Sequence, residues 1–132
     1  MYEDAGIEPR LLKRQILLTG TTNAAAYVDH VVPQGRAQTI IWAGGSHNDA
    51  VARACSWNLL DGLATLNTPL ELGVTRATGI LHSMYEACHM KESLVLRAGH
   101  TLRFYVNSAT AGTVITIYLW VEEIRGEDNY GA

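Results

Sequence analysis

Between residues 113 and 124 the chain reads TVITIYLWVEEI, with apolar side chains recurring at every second position. Ile115, Ile117, Leu119 and Val121 share one face of an extended strand, while Thr116, Tyr118, Trp120 and Glu122 share the other. β-Branched and aromatic residues fill nearly every place, which a pleated sheet accommodates and a helix crowds. The same period predicts a second strong strand over residues 50–60, with Val51, Cys55, Trp57 and Leu59 on one face. Asp61-Gly62 closes it, a dipeptide that accepts the positive φ of a tight turn. Shorter strands are predicted over 15–19, 27–32, 36–43, 94–97 and 101–107, with weaker ones over 70–72 and 79–82.

The punctuation between these runs is turn chemistry. Pro33 ends one strand and Gln34-Gly35 turns into the next. Residues 44–49, GGSHND, read as a loop, and Ala98-Gly99-His100 as a hairpin connection in which Gly99 supplies an unusual φ. Helical spacing competes only over 81–91, as a turn or two. Short strands recurring about every ten residues, with no amphipathic helices alternating between them, predict an all-β fold: an antiparallel β-sandwich of jelly-roll type.

The two ends differ from this body. Residues 1–10 carry Gly6, Pro9 and three acids, and 126–132 read GEDNYGA; both are expected to be flexible arms flanking one domain over 11–125. At 132 residues, one domain of this size buries enough surface to need no staples. Ten Lys and Arg against thirteen Asp and Glu give a net charge of -3, the wrong balance for an electrostatic grip on nucleic acid. No apolar run approaches the roughly 20 residues of a membrane span, and the acidic start is unlike a signal peptide. The chain is therefore expected to fold in a cytosol, with Cys55 and Cys88 reduced and acting as small hydrophobes. Charged residues are only 17% against 48% hydrophobic, a balance that fits a surface partly covered by other protein.

Catalytic patterns are weak. His30, His47, His82, His89, His100 and Cys88 lack the short ligand spacings of a structural zinc site, and adjacent Cys88-His89 would point to opposite faces of a strand. No serine sits in a nucleophile elbow, and Glu122-Glu123 diverge across a strand. Gly44-Gly45 lies between strands and so makes no phosphate cradle, and Lys13-Arg14 is too short for a nucleic-acid platform. No enzyme activity, metal or cofactor is expected.

The aromatic residues say more. If the Ile115 face is the core, Tyr118 and Trp120 point outward, where large rings are enriched at protein interfaces. Trp120 and Tyr118 are thus candidate interface anchors, with Trp57 and Trp42 divided between core and contact. Two other readings stand beside this one: a sugar-stacking platform on Trp42, Trp57 or Trp120, and a loop folded across the outside. A face inversion of the last strand would exchange core for surface.

Four segments in order carry a resemblance: Val32-Pro33-Gln34-Gly35-Arg36, then Asn48-Asp49-Ala50 opening a strand that ends Leu60-Asp61-Gly62, then residues 94–102, LVLRAGHTL, then a last strand ending Val121-Glu122-Glu123. Together they resemble small β-sandwich virion structural proteins of tailed bacteriophages, with Arg36 where that pattern has lysine and His100 where it has aspartate. The resemblance implies a homo-oligomeric structural subunit of a virion, made in the host cytoplasm. It would be a capsid decoration (cement) protein or a neck or tail accessory protein, with other virion proteins such as the major capsid protein as partners. A carbohydrate-binding sandwich module is the alternative from another class.

Overall fold

The computed structural model describes residues 12–23, 26–61, 66–88, 90 and 92–125, and the arms expected over 1–10 and 126–132 lie outside them. Among the described residues, ten strands and one helical turn follow in order: β1 (Leu12–Thr22), β2 (Tyr27–Val31), β3 (Arg36–His47), β4 (Arg53–Asp61), β5 (Leu66–Pro69), β6 (Val74–Arg76), β7 (His82–Ser83), α1 (Met84–Ala87), β8 (Leu94–Arg97), β9 (Thr101–Val106) and β10 (Ile115–Arg125). They form two five-stranded antiparallel sheets. The first runs β1-β10-β3, with β7 and β8 sharing the far edge of β3; the second runs β2-β9-β4, with β5 and β6 sharing the far edge of β4. The chain crosses between sheets six times, after β1, β2, β3, β6, β8 and β9, which makes this an antiparallel β-sandwich.

The core forms where the two inner faces meet. Ile40, Ala43, Ile115, Ile117, Leu119 and Val121 from the first sheet pack with Val28, Cys55, Trp57, Leu102, Phe104 and Val106 from the second. The last strand therefore has the predicted orientation, its β-branched face inward. Trp57 is fully buried, tilted against Phe104 at 4.9 Å between ring centroids. Burying a side chain of this kind stabilises the fold by about 1.5–3 kcal/mol.

Several local predictions change. Residues 98–100 do not make a hairpin: β8 pairs β3 in the first sheet while β9 pairs β2 and β4 in the second, so the turn with Gly99 at positive φ crosses between sheets. Gly44 to His47 do not loop out; β3 continues through them, because Phe104 packs directly on the Gly45 backbone. A Cβ there would lie 2.6 Å from the Phe104 ring, so glycine is what the close approach of the sheets requires. Conversely, Val51 is no part of a strand and is exposed. The reason is Asp49, which draws the chain around its carboxylate. It accepts Val51 N–H (3.3 Å), Thr110 N–H (2.9 Å) and Arg53 Nε–H (2.9 Å). The Thr110 backbone donor, ahead of Arg53, holds the carboxyl well below the usual carboxylate range against the opposing effect of burial. The segment 70–72 bends between β5 and β6, and of 79–82 only His82 belongs to a strand.

The helical turn α1 falls inside the predicted 81–91 and plugs the core with Met84. The Tyr85 hydroxyl pins it by donating to the Ile40 carbonyl and accepting Leu94 N–H at 2.9 Å.

Candidate functional site

Among the described residues, the polar clusters inside the sandwich are satisfied internally except at one buried atom, Glu71 Oε2, which has no hydrogen-bond partner. His82 is fully buried; its Nδ1 accepts Arg76 Nε–H at 2.8 Å, so Nε2 carries the proton toward Glu71 Oε1 at 2.6 Å. Trp57 closes this cluster from both sides, its backbone N–H to Glu71 Oε1 (3.2 Å) and its indole N–H to the His82 carbonyl (3.2 Å). His47 of β3 reaches across to the Arg76 carbonyl of β6, in the second sheet, at 3.0 Å. At the other end His30 donates to Gln38 (2.6 Å), Gln38 to Glu123 (3.1 Å), and Arg14 and Arg36 flank Glu123 at 3.3 and 3.2 Å. That chain ties the sheets together through β2, β3 and β10.

His89 lies outside the described residues, and among those described no three His, Cys, Asp or Glu side chains group to hold a metal. Burial pushes the Cys55 thiol up to about 11 and that of Cys88 up to about 12, so neither is a nucleophile at neutral pH. A pocket of about 220 Å³ between Ile41, Tyr85, Met90, Glu92 and Ser93 is smaller than the roughly 300–1,000 Å³ of ordinary small-molecule sites.

The outer face of the first sheet is different in kind. Register sets Leu17 of β1, Trp120 of β10 and Trp42 of β3 directly side by side. The next row holds Thr19, Tyr118, Gly44 and Ser83. Trp120 is 37%, Tyr118 40% and Leu17 59% exposed. Trp42 is half-buried, and a Cβ on Gly44 would meet its indole at 2.5 Å and Leu81 at 3.0 Å. The missing side chain at Gly44 thus lets the Trp42 ring lie along the sheet, with Leu81, itself exposed, beside it. A β-bulge follows between Trp120 and Val121, where Ile41 is the extra residue of β3.

The predicted anchors therefore separate. Trp120 and Tyr118 are outward and solvent-accessible, Trp42 joins them as a third member, and Trp57 is removed: its indole belongs to the core and offers no contact surface. Leu17 and Leu81 were not singled out from sequence. The available signal was the Leu17-Leu18 doublet, since two adjacent apolar residues on a strand cannot both face inward.

The outer face of the second sheet carries a self-paired polar cluster, with Val31 exposed at the end of β2. Arg103 grips Asp29 through two bonds of 2.7 and 2.9 Å and lies 3.7 Å over the Tyr27 ring. The Asp29 hydrogen bond holds the guanidinium still more firmly charged.

At one end of the sandwich, three of the segments that carry the phage resemblance meet. Arg36 N–H closes a turn on the Pro33 carbonyl (3.2 Å), with Gly35 at φ 75°. Val32 exchanges backbone bonds with the other turn, its N–H to His100 O and its carbonyl to Gly99 N–H, both 3.0 Å. His100 Nδ1 accepts Arg97 N–H (3.1 Å), which leaves Nε2–H to reach Asp61 at 3.1 Å. His100 thus joins the 98–100 turn, which passes from one sheet to the other, to the end of β4.

No family model and no curated protein matches this sequence. Among solved structures, the chain is similar to the infectious bursal disease virus VP2 subviral particle, with 11% identity and a TM-score of 0.39 over 92% of this chain and 34% of that one. It is also similar to the T=1 particles derived from that virus, with 11% identity and a TM-score of 0.38 over 92% of this chain and 33% of that one. A third is the Clostridium thermocellum xylanase 10B CBM22-1–GH10 structure with xylohexaose, with 13% identity and a TM-score of 0.37 over 88% of this chain and 26% of that one. The chain spans about a third or less of each of these proteins.

Proposed function

We propose that this chain is a non-enzymatic structural subunit of a phage virion, a capsid decoration protein that stabilises the particle through subunit contacts. The observation that carries the proposal is the Leu17–Trp120–Trp42 row. A sandwich whose core is already filled gains nothing from large apolar side chains held against water, and a contiguous set of them fits a covered surface. Trp and Tyr at the centre of such a surface are the usual energetic anchors. The phage assignment rests on the turn segments and their order, and the virion location rests on the same ground. Neighbouring copies and the major capsid protein are the partners this reading calls for, while a neck or tail position would use the same face.

A second reading has one observation in its favour: the Trp120 ring is partly exposed on a sheet face, where a sugar ring could stack. Light scattering on the purified protein across a concentration series separates the two. The structural-subunit reading expects a stable oligomer that Trp120→Ala dissociates while β-rich circular dichroism is retained. A monomer at every concentration that binds a glycan array through Trp120 contradicts it.

A further inference from the structure

We propose that two copies of this chain pair edge to edge through β1, antiparallel and centred on Leu17, so that the first sheet runs continuously from one protomer into the next. This rests on the reading of the chain as a self-associating subunit and names the surface used. Among the described residues no strand pairs with the outer edge of β1, although all eleven of its residues pair with β10 on the inner edge without a register shift. Natural edges of this length are usually shortened, bulged or broken by proline. β1 has neither bulge nor proline, and its basic pair, Lys13 and Arg14, is confined to one end.

That charge distribution selects the direction of pairing. A parallel partner would set like charges beside each other, whereas an antiparallel partner centred on Leu17 sets Lys13 opposite the partner's Thr21 and Arg14 opposite the partner's Gly20. The same register places Leu17 against the partner's Leu17 and Ile16 against the partner's Leu18. Directly opposed residues share a face, so the half-buried Ile16 and Leu18 stay on the inner side and Leu17 on the outer. A slip of one residue would turn the two cores to opposite sides of the joined sheet. A slip of two would set Leu17 against Gln15 or Thr19 instead of an apolar partner. In the centred register the outer rows of the two protomers join into one stripe, with two tryptophans on each side of the paired leucines.

The test is disulfide trapping. Directly opposed Cα atoms lie about 4.5–5.5 Å apart, inside the roughly 4.4–6.8 Å span of a disulfide. In a Cys88→Ser background, with Cys55 buried and its thiol pushed up to about 11, Leu17→Cys should give a covalent dimer under mild oxidation. Gln15→Cys and Thr19→Cys should each fail alone and cross-link when mixed. Leu17→Lys should weaken self-association at least tenfold with circular dichroism unchanged. An oligomer in which Leu17→Cys stays unlinked, or in which Gln15→Cys links to itself, overturns the edge pairing while leaving the subunit reading intact. A protein that is monomeric at every concentration overturns both.

Discussion

The two outer faces of this sandwich are built from strands of similar length but manage water in opposite ways. On the second sheet, Arg103 is fixed by Asp29 and the Tyr27 ring, so charge and aromatic area satisfy each other within one chain. On the first sheet, Leu17, Trp120 and Trp42 line up across three strands, while Trp120 and Tyr118 keep more than a third of their surface open. The core does not need these side chains, since inward residues of the same strands are already buried. The contrast teaches that aromatic content alone does not mark a contact surface. A ring that has an internal partner, like Tyr27, is finished; a row without one among the described residues is the surface that the proposed assembly would use.

The largest effect is expected where an aromatic residue belongs to neither outer face. Trp57→Ala should destabilise the monomer by about 3–5 kcal/mol through lost burial and a cavity, and also uncover the Glu71–His82 cluster that it closes. Thermal melting or urea titration checks this. If Trp57→Ala instead left stability intact and abolished assembly, the division between core and contact would be reversed.

Next comes Trp120→Ala. It should raise the self-association constant for dissociation by about tenfold to a hundredfold, in line with a tryptophan anchor. Dilution monitored by light scattering measures it. Monomer stability should change by no more than about 1 kcal/mol, because the side chain lies outside the core.

The assignment of these faces was partly legible in the sequence. The period-two pattern of β10 placed Ile115, Ile117, Leu119 and Val121 inward and Tyr118 and Trp120 outward, since alternation sustained from Ile115 to Glu122 leaves few other arrangements. The row itself was not legible. Residues 17, 42 and 120 become neighbours only through the register of three strands, and register depends on contacts far apart in sequence. Gly44-Gly45 read as a loop because strand glycines and loop glycines look alike until the Trp42 and Phe104 rings that lie on them are known. Val51 looked like a core position by parity, but parity cannot register a carboxylate that bends the backbone just before it.

A pH experiment probes that bend. The Asp49 carboxyl is held below its ordinary value of 3.8 by hydrogen bonds to its ionised form. A depressed folded-state value means that its contribution is present in full above that ordinary value. The contribution is then lost as pH falls through the folded-state value. Asp49→Asn should therefore lower the melting temperature at neutral pH and flatten the acid limb of the stability curve. A mutant whose curve runs parallel to the wild type down to pH 2 would show that the Thr110 and Arg53 bonds are without energetic effect.

The smallest effect is expected on the second sheet. Arg103→Ala should reduce monomer stability by about 0.2–1 kcal/mol, typical of a solvent-accessible ion pair. It should leave oligomer mass unchanged, because this face has its partners within the chain. A change in assembly equal to that of Trp120→Ala would erase the distinction between the faces.

Hydroxyl-radical footprinting read by mass spectrometry compares both faces in one sample. Protein is labelled at high concentration, where assembly is expected, and after dilution, where monomer is expected. Oxidation of Leu17, Tyr118 and Trp120 should fall on assembly, while that of Tyr27 and Tyr105 stays constant and Trp57 is silent throughout. Equal labelling of Tyr118 and Trp120 in both samples, or protection confined to Tyr27 and Tyr105, would contradict the role assigned to the outer face of the first sheet.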